Sequence, residues 1–467
     1  MLDSLQRPYT GRGPLHYTHS MVVGVVRFSL VLALASFALL GQQPDASQGW
    51  LSWRGPNATG VAPTADPPIT WSETKNVRFK TKLPGLGYGS PIVSGDRVFL
   101  TAAVAVGPEL PPVPDDAPGA HDNAPVTRGH EFVVLAISRD EGEVVWQTKV
   151  HEQVPHAGYH KSSALASASV VTDGELVYAY FGSYGLYCLG RDGQVQWQKD
   201  LGDMLIKHGH GEGCSPVLYG DLVVVNWDHE GQSFLVALNK RTGEEVWRVD
   251  RDEVTSWATP IVVEVGGVAQ LVVSGTKKMR AYDLESGELI WWCVGLSNNV
   301  VASPVSSDGM LYAGSSYVRK RMLAVRLAGA KGDLTKTDHI VWRKQVRTPY
   351  VPSPLLYGEW LYYLNHYQGF LSRVHAKSGA EPDRALRLPG MREIYSSPVG
   401  AAGRIYITDR EGATIVLSHT GKTPTLLAHN RLDDSFNATA ALVGDQLYLR
   451  GLRYLYCIQE ERPGDQK

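Results

Sequence analysis

A motif of about 45 residues recurs eight times along this chain, and no other feature restricts its fold so severely. Each copy opens with a small residue, and in five copies that residue is the Ser of a Ser-Pro pair. It continues through apolar residues to a Gly-Asp or Asp-Gly turn, an alternating apolar run, a Gly-containing loop and a second apolar run. Most copies close with a turn such as Thr-Gly-Glu and a Trp. The copies start at Ser90, Ser167, Ser215, Thr259, Ser303, Ser353, Ser397 and Thr439. Successive starts lie 42 to 50 residues apart except for the first gap of 77, which holds a Pro- and Asp-bearing insertion over 104–129. A period of this size suits one four-stranded propeller blade, and runs such as RVFL, LVYAYF and RIYITD alternate as strands do.

The eighth copy stops after its third strand, YLYCIQ at 454–459, while VRFKTKL at 77–83 reads as a strand without a blade. The expectation is an all-β, eight-bladed β-propeller of four-stranded antiparallel blades, with the N-terminal strand completing the last blade. Closure of this kind removes the exposed edges of an open array. The propeller is expected over 69–462, preceded by a loop-like lead-in over 50–68. The 48 Gly, 12 Trp and 22 Tyr among 467 residues fit many short strands and tight turns.

The N-terminus has a different character. Residues 28–40, FSLVLALASFALL, follow Arg27 and precede polar residues, so 21–46 reads as a signal peptide or membrane anchor. No Cys follows for lipid attachment, and Met21 is a second candidate start after an extension over 1–20. The expected location is periplasmic or secreted, with a membrane tether through 21–40 if that segment is retained. A net charge of -2 argues against a nucleic-acid partner. Four Cys exclude a disulfide-stapled scaffold.

The Ser-Pro starts at Ser90, Ser215, Ser303, Ser353 and Ser397, third-strand runs such as LVALN, and the closure from Thr242 to Trp247 resemble the pyrroloquinoline quinone (PQQ) repeat superfamily of eight-bladed propellers. The resemblance spans about residues 69–460. It implies the fold closely and the function loosely. The superfamily includes quinone-dependent alcohol and glucose dehydrogenases, a non-enzymatic propeller lipoprotein of the outer-membrane assembly machinery, and many exported proteins that share only the repeat. The lead-in from Trp50 to Pro56 is similar to that last group. The alcohol dehydrogenases place a disulfide of adjacent Cys over the quinone, whereas Cys188, Cys214, Cys293 and Cys457 are far apart in this sequence. Cys188 and Cys457 occupy the third-strand position where LVALN has Ala, and read as small core residues.

The repeat also locates a functional face. With the strands of a blade named A to D, the loops before strand A and between B and C share one face. Short AB and CD turns occupy the other. Eight of 15 His map to the loop face: His121, His151, His156, His160, His208, His210, His229 and His366. Three readings stand open. His208, His210, Glu212, Asp228 and His229 form a candidate metal set of imidazole and carboxylate ligands. Trp257 or Trp227 is a candidate platform for PQQ, with Lys277, Arg319 and Arg410 for its carboxylates and Ca2+ as companion. The third reading is an envelope or extracellular protein, or a small-molecule ligand, anchored on Tyr88, Tyr159, Tyr317, Tyr350, Tyr367 and Tyr395. The leading expectation is a monomeric, non-catalytic binding scaffold; the alternative is a reduced PQQ-dependent alcohol or sugar dehydrogenase.

Overall fold

The computed structural model describes residues 49–421 and 423–461; the extension over 1–20 and the signal peptide or anchor over 21–46 lie outside the described residues. Eight antiparallel sheets succeed one another in chain order, and their A strands abut around a common axis. Blade 1 consists of Ile92–Ser94, Arg97–Val106, Gly129–Ser138 and Val144–Gln153. Blades 2 to 7 have A strands Val171–Thr172, Val217–Tyr219, Ile261–Val265, Val305–Ser307, Leu355–Tyr357 and Val399–Ala401. Blade 8 takes Ala441–Val443, Gln446–Arg450 and Tyr454–Ile458 from the C-terminus and Val77–Lys82 as its D strand. That strand runs antiparallel to the third, with Val77 opposite Ile458 and Lys82 opposite Tyr454. Among the described residues no helix is long and apolar enough to cross a membrane.

The recurrent Ser or Thr has a single cause. At the head of each A strand its hydroxyl oxygen accepts the backbone N–H of the equivalent residue in the preceding blade. The series runs Ser90, Ser169, Ser215, Thr259, Ser303, Ser353, Ser397 and Thr439, with N···O distances of 2.8–3.1 Å. Thr439 N–H then returns to Ser90 Oγ at 3.1 Å and closes a ring of eight bonds. Ser169 occupies the blade 2 position, two residues beyond the expected Ser167. The Ser167 hydroxyl instead donates to Ala164 O within its own loop. Six of the ring residues are Ser and two are Thr because only a short β-hydroxyl reaches the neighbouring backbone.

The blade perimeter follows an equally local rule. Trp146, Trp197, Trp247 and Trp342 on D strands lie over Gly193, Gly243, Gly287 and Gly379 in the next CD turn. Their Nε1–H groups donate to next-blade carbonyls at 2.8–3.0 Å. Those glycines have φ of 69–84°, and a Cβ on any of them would lie within 3 Å of the indole. Opposite these Trp stand small C-strand residues: Ala136, Cys188, Ala237 and Ala324. Phe79 takes the Trp role in blade 8, facing Cys457 and resting on Gly142. Blade 4 departs from the rule. The buried closing residue is Trp291, opposite Ala281, while Trp292 is half-buried; Trp291 Nε1–H bonds Gln270 Oε1 in place of a next-blade carbonyl, and Gly332–Asp333 pairs beside the strand as a fifth, parallel one.

The lead-in is loop-like, as expected, but is tied down at both ends and by a buried Arg. Gly49–Trp50 pairs with the A strand of blade 1, and Val61–Ala62 runs parallel to that of blade 7. Between them Arg54 is fully buried and donates to Ala58 O, Thr59 O and Pro354 O of blade 6. The segment therefore crosses the axis on the turn face, opposite the long loops. Burial without a carboxylate pushes the Arg54 guanidinium down to about 9.

Candidate functional site

With the turn face plugged, the loop face holds the axial opening. Its cavity is about 350 Å³ and is walled by two unlike arcs. One arc is a run of stacked rings from the loops of blades 5 to 7. Tyr317 stacks on Tyr350 at 5.7 Å between centroids, Tyr350 on His366 at 4.6 Å, and Tyr367 on Tyr395 at 5.3 Å. His366 bridges the two halves of the arc at 4.4 Å from Tyr367. The Ser316 hydroxyl lies 2.8 Å from His366 Nδ1, and burial lowers the pKa of that imidazole. The other arc carries His121, His160 and His210, with Tyr88 and Trp257 between the arcs. Trp257 Nε1–H donates to Gly211 O at 2.9 Å, which sets the indole edge toward the loop of blade 3. Five of the six Tyr named from sequence line this cavity; Tyr159 instead belongs to a short strand paired with the insertion.

The insertion builds part of this wall. The B and C strands of blade 1 are ten residues long and lift the excursion above the ring. There Asn123–Ala124 pairs with Tyr159–His160 from the loop before blade 2. The fold-back brings His121 beside His160, His208 and His210. A second cavity of about 470 Å³ lies under the insertion, between blades 2 and 3. Glu212 faces it. Its carboxylate accepts Ser183 N–H at 2.6 Å and the Ser183 hydroxyl at 2.5 Å, while burial pushes it up to about 7.

The five residues of the sequence-derived metal set do not meet. Asp228 is fully buried in a bidentate pair with Arg251 at 2.7 and 3.0 Å and also accepts the Ser256 hydroxyl. His229 accepts Leu205 N–H at Nδ1 and faces Gln232 O through Nε2, so both ring nitrogens are engaged. Glu212 is turned to Ser183. Only His208 and His210 stay together.

The quinone set is likewise scattered. Trp227 is buried and stacked on Phe234 at 5.5 Å, inside blade 3. Lys277 and Arg319 are exposed, and Arg410 pairs with Glu393 at 2.7 Å while lying over Tyr395. Trp257 alone of the five lines the axial cavity, whose wall among the described residues contains no Lys or Arg. All four Cys are buried and free.

Fold, ring and axial face define the class: a PQQ-repeat β-propeller. The family model described as outer membrane protein assembly factor BamB matches residues 61–204, 130–381 and 231–461, and the chain belongs to that family. The outer membrane protein assembly factor BamB of Yersinia pestis is 26% identical over 236 residues, covering 46% of this chain and 52% of the relative. The chain thus spans about half the length of that curated relative. Among solved structures, BamB from Moraxella catarrhalis has a TM-score of 0.52 at 13% identity, over 77% of this chain and 99% of that one. The quinohemoprotein alcohol dehydrogenase from Comamonas testosteroni has a TM-score of 0.58 at 10% identity, over 91% and 82%. At such identities both likenesses speak to the fold alone.

Proposed function

We propose that this protein is an exported, monomeric, non-catalytic binding propeller of the periplasm or cell surface, and that its axial cavity receives a segment of an envelope protein. The observation that carries this reading is the half-ring of Tyr317, Tyr350, Tyr367 and Tyr395 with Trp257 at its flank, all half-buried at the mouth of a closed-bottom ring. Rigid aromatic groups of this kind anchor protein interfaces with little loss of side-chain freedom. The family description and the Yersinia pestis relative, named for outer-membrane protein assembly, support an envelope partner.

The quinoprotein reading finds less support. PQQ carries three carboxylates and needs converging cations. The cavity wall offers none among the described residues, and its one carboxylate, Glu212, is committed to Ser183. The residues present therefore do not fit that cofactor.

A photo-crosslinking residue at Tyr350, compared with one at exposed Glu285 on the turn face, tests the proposal in the native envelope. The expected result is a discrete protein adduct from position 350, weakened by Trp257→Ala and Tyr367→Ala, and none from position 285. Equal adducts from both faces, or adducts insensitive to those substitutions, would overturn it.

A further inference from the structure

The histidines grouped by the insertion form a second unit with its own chemistry. His121 comes from the insertion, and His208 and His210 from the loop before blade 3. Their ring centroids are 4.7 Å (121–210), 5.2 Å (208–210) and 5.7 Å (121–208) apart. His160 flanks them, 4.8 Å from His210. Zinc–imidazole bonds of about 2.0–2.1 Å put each ring centroid about 3.2 Å from the ion, so rings around a tetrahedral centre stand about 5 Å apart. The observed spacings straddle that value.

Tautomers point the same way. His121 Nδ1 lies 2.9 Å from Gly119 O, and His208 Nδ1 lies 3.0 Å from Pro118 O. A carbonyl only accepts, so both rings carry the proton on Nδ1 and leave the Nε2 lone pair free. This is the backbone support that metal-bound imidazoles ordinarily have. His210 Nε2 is buried and has no hydrogen-bond partner. His208 is held at φ 59°, a left-handed conformation that non-Gly residues rarely adopt. Carboxylates stand nearby: Asp122 pairs with Lys161, and Asp115 accepts from Asn123, whose amide also donates to His208 O.

We propose that His121, His208 and His210 bind a first-row divalent cation of imidazole preference, Zn2+ or Cu2+, which fastens the insertion to blade 3. Among the described residues no group of three or more His, Cys, Asp or Glu could hold a metal ion with its side chains as they stand. Metal uptake would therefore turn the His210 ring, whose Nε2 has no hydrogen-bond partner, toward the Nε2 atoms of His121 and His208, which keep their Nδ1–H bonds to Gly119 O and Pro118 O. This site stands on imidazole geometry and is independent of the binding function proposed above.

The test is a calorimetric titration of the full chain with Zn2+, and separately Cu2+, after EDTA treatment and dialysis. The expected result is one saturable equivalent at micromolar affinity or tighter, with slower tryptic cleavage after exposed Arg128. His121→Gln and His210→Ala should each weaken binding by about 10–100-fold or more, and His339→Ala, at a half-buried histidine in blade 5, should not. His208→Asn, which tolerates positive φ, should weaken binding likewise, and all three variants should keep the wild-type thermal midpoint in EDTA. Absence of saturable heat with both ions, or binding unchanged in His121→Gln and His210→Ala, would overturn the site.

Discussion

Removing the hydroxyl of Ser303 deletes one bond of the axial ring and leaves the part-buried N–H of Thr259 without its acceptor at 2.8 Å. An orphaned donor that is only partly buried costs about 1 kcal/mol, the low end of the range for buried ones. Ser303→Ala is therefore expected to destabilise the protein by that amount in chemical or thermal unfolding, whereas Ser303→Thr should stay within about 0.5 kcal/mol, because Thr already serves at 259 and 439. Equal losses for both substitutions would show that the hydroxyl is not what matters. His419 gives a pH-dependent counterpart. It is stacked on Tyr357 at 4.0 Å, meets the Tyr362 hydroxyl at 3.0 Å, and is depressed below 6.5 by burial and then by Arg373. A depressed imidazole takes up its proton in the unfolded chain first, so this contribution is whole above pH 6.5 and fades as pH falls toward the folded value. The stability difference between wild type and His419→Phe should accordingly narrow from pH 7 to pH 5; a constant difference would contradict it. At this scale the sequence displayed the repeating Ser but not its partner, since a hydrogen bond between copies is invisible in any one copy. It misplaced the second start by two residues because Ser167 and Ser169 look alike until the neighbouring N–H is located.

The closing strand of blade 8 shows how one element substitutes for another. Phe79 performs for blade 8 what Trp performs for blades 1, 2, 3 and 5, seated on Gly142 and facing a small residue, Cys457. Phe79→Ala should lower stability by about 2–4 kcal/mol, and Phe79→Trp should retain most of it. Unfolding monitored with the strand in place checks this, and a loss under about 0.5 kcal/mol for Phe79→Ala would mean that closure rests on backbone pairing alone. The closure itself was legible, because a blade lacking one strand and a strand lacking a blade complete each other. How the lead-in is tied down was not legible. Trp50 to Ala62 carries turn formers and no strand period, and its order comes from the A-strand edges and carbonyls of other blades. The insertion is similar: its 26 residues read as an excursion, yet two of them pair with Tyr159–His160 and carry His121 to the axial rim. Contacts between segments so distant in sequence leave no local pattern, so the metal candidates Asp228 and His229 looked equivalent to His208 and His210. The Arg251 partner and the saturated His229 ring appear only in three dimensions.

At the scale of the whole molecule, plugging one face and lining the other with rings makes the propeller one-sided. Five of the six Tyr named from sequence converge on the opening because the repeat register assigns their loops to one face. The cations named for a quinone do not converge, because register assigns a face and says nothing of side-chain direction. On the binding-propeller proposal, the wall of a single cavity is what distinguishes this chain from the dehydrogenases whose fold it shares. Calorimetric titration of the purified protein with PQQ, with and without Ca2+, tests that distinction most directly. No saturable heat and no quinone absorbance retained after gel filtration are expected. One-to-one binding at micromolar affinity or tighter, lost in Trp257→Ala, would contradict the proposal.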